Sequence, residues 1–239
     1  MTAAAASPQT GSDPLAEVYR ELWRDGERAL REASHQADGI PVHGSPRWGL
    51  SLVVRVDGAP GEALAAELAA LAGLRSAPHL VYRPEHLHLT VRSVEGFADE
   101  VGERSVTHYA DQARAAVQGL SGLAVTLRGL GGSPGGLFAC GYPTPALREL
   151  RTRLHAAARS AGRPGVPGGD ADRIRNTAHA SLVVYRPPIV PEPALADHVA
   201  ARAGTEFGTL AVTALSLVRY RPTATDVALE ELARIGVPR

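Results

Sequence analysis

The sequence predicts an α+β fold in which one structural unit is used twice, and three observations lead there. Two short stretches, "PEHLHLTVRS" at 84–93 and "NTAHASLVVY" at 176–185, carry the same alternation of polar and apolar side chains. Around each, runs with helical spacing alternate with β-branched runs. The order of these elements in the second half replays that of the first, although the halves share little sequence outside the two stretches. The repeat is therefore one of architecture.

The elements follow in order. Residues 1–12 are small and polar without an apolar period and read as a flexible tail. An Asp-Pro pair then opens an amphipathic helix striped by Leu15, Val18, Tyr19, Leu22 and Trp23, which gives a helical extension over 13–45 ahead of a two-lobed body over 46–239. The body begins with a strand in "WGLSLVVRV" and a helix striped by Leu64, Leu68 and Leu71, with Gly73 near its end. Next come the strand of His88 and a helix near 105–120 with Tyr109, Ala113, Val117 and Leu120 in register. "LAVTLRGL" and "GLFACGY" are strands separated by a turn in "GGSPGG". A helix at 145–161, the loop "GRPGVPGGDADR", the strand of His179, a helix near 193–203 and one strand in "LAVTALSLVRY" follow. The closing "DVALEELARI" has the local pattern of a helix at a place where the topology asks for a strand.

Composition narrows the chemistry. At 239 residues, 44% hydrophobic and 21% charged, the chain is an ordinary globular one with enough length for a sizeable core. Twenty-five basic residues, all Arg, balance 25 acidic ones, which argues against broad binding along a DNA duplex and favours a small anionic substrate. Cys140 stands alone, so neither an intrachain disulfide nor a zinc ribbon is expected, and a reducing cytoplasm is consistent with this. "MTAAAASPQTGS" lacks the basic leader and apolar core of a secretory signal, and no apolar run approaches the roughly 20 residues of a membrane helix.

Side chains alternate across a strand, so His88 shares a face with Thr90, and His179 with Ser181. If the halves pack about a pseudo-twofold axis, two imidazole and hydroxyl pairs face one another across a cleft. Such a cleft suits a tetrahedral anion. One imidazole removes a proton from water or a hydroxyl and the other protonates the leaving oxygen, while the hydroxyls donate to the non-bridging oxygens. No metal or other cofactor is required.

His88-Leu-Thr90 and His179-Ala-Ser181 resemble the paired motifs of the two-histidine phosphoesterase superfamily, which includes LigT-like 2′-5′ RNA ligases and cyclic phosphodiesterases. The resemblance spans roughly residues 46–235. It implies a bilobal fold of two curved antiparallel sheets facing a central cleft, with helices outside, and metal-independent attack on 2′,3′-cyclic or 2′-5′ phosphodiester linkages. The implied partner is a small nucleotide or an RNA end. Two alternatives stand beside this reading: a hydrolase or transferase acting on a phosphorylated metabolite, and a non-catalytic nucleotide- or RNA-binding module.

Four further residues are candidates for the substrate site. His86, two positions before His88, is either a metal ligand or a support at the rim. Arg92 follows Thr90 on what alternation makes the same face, and meets either a substrate phosphate or a carboxylate. Tyr220 ends a late strand, where it either stacks on a base or packs in the core. Arg186 is the first basic residue after the second motif. His43 is read as a surface residue.

Overall fold

The computed structural model describes residues 13–163 and 173–238, so the expected tail and most of the loop after residue 162 lie outside the described residues. Helix α1 (Pro14–Arg31) starts where the Asp-Pro pair predicts, with the Asp13 carboxylate accepting from the Leu15 amide at 2.9 Å. Then come β1 (Ser51–Arg55), α2 (Gly58–Leu74), the short β2 (Leu80–Val81), a 3-10 turn (Pro84–His86) and β3 (His88–Ser93). They are followed by α3 (Glu103–Val117), β4 (Ala124–Ser133), β5 (Gly136–Pro143), α4 (Pro145–Ser160), β6 (Ala180–Val184) and α5 (Pro193–Ala201). The chain closes with β7 (Glu206–Ala211), β8 (Ala214–Pro222) and β9 (Val227–Gly236). The predicted stripes of α2, α3 and α4 are all buried.

The strands form one antiparallel sheet in the order β7-β4-β5-β6-β3-β1-β8-β9, with β2 beside β6. It divides at its centre into two four-stranded halves of matching construction. In each half a strand, a helix and a histidine strand follow one another, as β1-α2-β3 and as β5-α4-β6. The two sheets expected from the resemblance are thus the halves of a single hydrogen-bonded sheet, joined where β3 meets β6 at the pair Leu89 and Ala180. The half made of β4 to β7 is continuous in sequence, while the other is assembled from both ends of the chain.

Two expectations about the last third need correction. "LAVTALSLVRY" is two strands, since β7 pairs with β4 in one half and β8 pairs with β1 in the other, and the chain crosses between them at Val212 and Thr213. The closing segment is the strand β9. Its helical-looking pattern is overruled by pairing with β8 along its length and by Glu230, which accepts from Arg219 and Arg221 across the two strands.

A bulge in β3 has the largest consequence for the site. Val53 pairs with Thr90 and Leu52 with Arg92, leaving Val91 as an extra residue that reverses the alternation beyond it. Arg92 consequently points away from Thr90 and toward α4, where it meets the His155 ring at 3.2 Å, while Ser93 takes the place beside Thr90 in the cleft. Arg151, buried on α4, donates to the carbonyls of Thr90 (2.9 Å), Val91 (3.2 Å) and Arg175 (3.1 Å). One guanidinium thereby holds the bulge and the approach to the second motif together.

Removing that guanidinium leaves three carbonyls short of a donor, each costing about 1–3 kcal/mol where it is buried. Arg151→Met is expected to lower the unfolding free energy by roughly 3 kcal/mol or more, read as a shift of the urea midpoint at unchanged slope. Arg151→Lys should recover less than half of this, because an ammonium lacks the planar fork that reaches all three.

Candidate active site

The two histidine motifs meet because β3 and β6 run antiparallel and pair at Leu89 and Ala180. Continued by one residue either way, this register sets His88 across from Ser181 and Thr90 across from His179. All four line one cleft of about 590 Å³. Leu89, Ala180 and Leu182 turn to the other side, where they are buried in the core.

Most of the rest of the wall comes from segments that the motif pattern does not mark. Arg47, Arg173 and Arg175 bring guanidinium groups to the cleft, Trp48, Tyr82, Phe138 and Tyr220 bring rings, and Ser51 and Ser93 bring hydroxyls. Among the described residues no carboxylate lines it. The wall is therefore cationic and rich in hydrogen-bond donors, a setting that attracts anions.

Trp48 occupies the left-handed region at φ 59°, an expensive conformation for a bulky residue. Its indole packs against the guanidinium groups of Arg186 (4.9 Å) and Arg47 (5.5 Å). Arg186 itself stands behind the wall and donates to the carbonyl of Asp38 at 2.6 Å. The sequence pattern places Trp48 at the start of the first strand, whereas β1 begins only at Ser51, and the signal it lacked is the long-range contact that pins the indole. Val18 and Leu22 of α1 close one end of the cleft. On the same helix, the Tyr19 hydroxyl accepts from the amides of Ala178 (3.0 Å) and Gly141 (3.3 Å), which anchors the backbone immediately before His179. Gly141 is required at that contact, since a Cβ there would lie 1.8 Å from the Ala178 carbonyl oxygen.

His86 does not share a strand face with His88, because it ends the 3-10 turn, and its ring accepts from the Leu229 amide at 3.5 Å. Its carbonyl oxygen is what serves the site, accepting from Nδ1 of His88 at 2.8 Å. That bond fixes the neutral tautomer of His88 with a lone pair on Nε2, and the Tyr220 hydroxyl lies 2.9 Å from this atom. His179 stacks on Phe138 at 4.6 Å between ring centres, and its Nδ1 has no hydrogen-bond partner among the described residues. No group of three His, Cys, Asp or Glu side chains among the described residues is placed to hold a metal ion, and no helix among them is long and apolar enough to cross a membrane.

Both imidazoles resist protonation. Burial pushes His88 down to about 4 and His179 down to about 3, and for His179 the guanidinium groups of Arg175 and Arg151 act in the same direction.

No family model matches the sequence, and no curated protein does either. Solved structures match at the level of the fold. TT0787 of Thermus thermophilus superposes with a TM-score of 0.55 at 21% identity, over 79% of this chain and 97% of that one. LigT of E. coli complexed with 3′-AMP gives 0.55 at 15% identity, over 80% and 99% of the two chains. This chain has the LigT fold. LigT complexed with phosphate superposes similarly, at 0.52 and 16% identity over 80% of this chain and 98% of that one. A LigT-like fold thus accounts for about four-fifths of the chain.

The histidine shifts make stability depend on pH with a definite sign. Above about pH 6.5 both rings are neutral whether the chain is folded or not, and stability is level. As pH falls below that, the unfolded chain takes up protons that the folded one refuses until about pH 4 for His88 and about pH 3 for His179, so stability is lost toward acid. Melting temperature followed from pH 7.5 to 4.5 should decline, and His179→Gln should decline less steeply. Parallel curves would contradict the burial argument.

Proposed function

We propose that the protein is a metal-independent phosphodiesterase acting on a small nucleotide or an RNA end with a 2′,3′-cyclic or 2′-5′ linkage. The observation that carries this reading is the crossed arrangement of His88, Thr90, His179 and Ser181 around one cationic cleft. A phosphodiester seated between the imidazoles has an acid or base on each side of phosphorus, as in-line displacement requires. The Thr90 and Ser181 hydroxyls donate to the non-bridging oxygens as charge builds there. Arg175 and Arg47 supply the attraction that brings the anion in.

Hydrolysis needs one ring neutral and the other protonated. His88 is held in the neutral tautomer suited to a base. His179 takes the role of acid, and the bound phosphate itself supplies the charge that offsets burial and draws a proton onto the ring. The protonation state is thus completed by the substrate. Arg92, behind the sheet, and Arg186, behind Trp48, act on this reading as supports of the wall rather than as phosphate ligands. Among the solved structures of the same fold, one is a phosphoesterase, and LigT has been solved with 3′-AMP, ATP, NADP+ and phosphate, which favours nucleotide-like ligands here. The balanced charge and the lone cysteine suit a cytoplasmic setting.

Purified protein is to be screened against 2′,3′-cyclic nucleotides and 2′-5′-linked dinucleotides. His88→Ala and His179→Ala should each cut turnover by roughly 10²- to 10⁴-fold, the usual contribution of a positioned acid or base. The double variant should lose less than the product, because the two act as a unit. Thr90→Ala and Ser181→Ala should lose less, since water partly replaces a neutral donor. Turnover should survive exhaustive chelation, because imidazolium and hydroxyl groups carry the charge stabilisation. Folded His88→Ala or His179→Ala with near-wild-type rates would falsify the assignment.

A further inference from the structure

The two histidines are matched in backbone position and unequal in chemistry. Both ring nitrogens of His88 are engaged, Nδ1 with the His86 carbonyl at 2.8 Å and Nε2 with the Tyr220 hydroxyl at 2.9 Å. While these bonds stand, neither nitrogen can touch a substrate. Tyr220 has little freedom to leave. It is only 5% exposed, is paired with Leu229 of β9, and packs ring to ring with His88 at 5.4 Å. A second ring, Tyr82, stands edge-on to His88 at 5.7 Å and blocks rotation of the imidazole from the other direction. The Tyr220 hydroxyl is also within reach of the hydroxyls of Ser51 and Thr90, which line the cleft with it.

We propose that Tyr220 is a catalytic residue, and that its hydroxyl, not the imidazole of His88, is the atom that exchanges a proton with the reacting oxygen. The inference rests on the phosphodiesterase reading and deepens it. In hydrolysis the water oxygen forms a bond to phosphorus and gives its proton to the Tyr220 oxygen, while the proton already on Tyr220 passes to Nε2 of His88. The bond from phosphorus to the leaving oxygen breaks, and that oxygen takes the proton carried by His179. The turnover ends with His88 protonated, His179 neutral and Tyr220 unchanged, and exchange with solvent restores the starting state. The two transfers through Tyr220 are concerted. Burial raises the phenol above its ordinary value, so a free phenolate is not a resting point on the path.

The relay moves the base outward by one hydroxyl while leaving the imidazole of His88 buried. Nδ1 of His179 has no hydrogen-bond partner among the described residues, and its ring faces Phe138. The base side of the reaction works through an intermediary, and the acid side works directly.

Tyr220→Phe keeps the ring and removes the hydroxyl. The relay predicts that kcat falls by roughly 10²- to 10⁴-fold, as in His88→Ala, with KM nearly unchanged. Combining Tyr220→Phe with His88→Ala should cost no more than either alone. Rates in mixtures of light and heavy water should reveal more than one proton in flight in the wild type, and one fewer in Tyr220→Phe. Turnover at or above wild type in Tyr220→Phe, with His88→Ala inactive, would overturn the relay and leave the phosphodiesterase reading standing. Full turnover in both variants would overturn the reading itself. Should Tyr220→Phe fail to fold, a ring-fluorinated tyrosine at position 220 retains the hydroxyl and alters its acidity. The relay then requires a changed rate, and an unchanged rate overturns it.

Discussion

Everything in the site depends on the pairing of Leu89 with Ala180. It is the point at which two half-sheets become one sheet, and it sets the register of both motifs at once. Because side chains alternate, that single register sends Leu89 and Ala180 into the core and leaves His88, Thr90, His179 and Ser181 on the opposite face. A slip of one residue on either strand would exchange the two sets, placing imidazoles in the core and leucine in the cleft. Arg151 guards against such a slip from behind, since its guanidinium grips the backbone of β3 beside Thr90 and that of Arg175.

The same packing explains the electrostatics. A cationic cleft that strips water from the rings is hostile to a protonated imidazole, and both rings lose basicity there. On the proposed reading, an anion placed between them offsets that penalty and favours protonation of a ring. Affinity and protonation are linked, and each is expected to strengthen the other.

The alternation of polar and apolar residues was enough to find both motifs, since a period of two is visible over six residues. The bulge at Val91 was not visible, and it misplaced Arg92, because an inserted residue leaves no mark in a run where both neighbours tolerate either face. His86 was misplaced for a related reason: the pattern continues smoothly through a 3-10 turn that only the fold reveals. The walls contributed by Trp48, Arg47 and Arg175 sit in irregular segments whose place is decided by contacts far away in sequence. Tyr19 belongs to the apolar stripe of α1, but its bond to Ala178 reaches 159 residues along the chain to the second motif and has no local signature. In β9 the helix-like spacing of Leu229, Leu232 and Ala233 lost to the pairing offered by β8.

The strand order also dictates a schedule. On a ribosome, β1 and β3 emerge early with the first histidine, yet β8 and β9, which complete their half of the sheet, are the last strands made. The half built from β4 to β7 is finished before then and lies between them in the chain. The earliest strands must therefore wait, exposed or loosely held, while a complete four-stranded unit forms beside them, and closing that wide loop is slow on entropic grounds. Helix α1 has its own delay, since its docking surface on β4 and β5 does not exist when the helix is made. The cleft is assembled only at the end, when the final hairpin brings Tyr220 to His88.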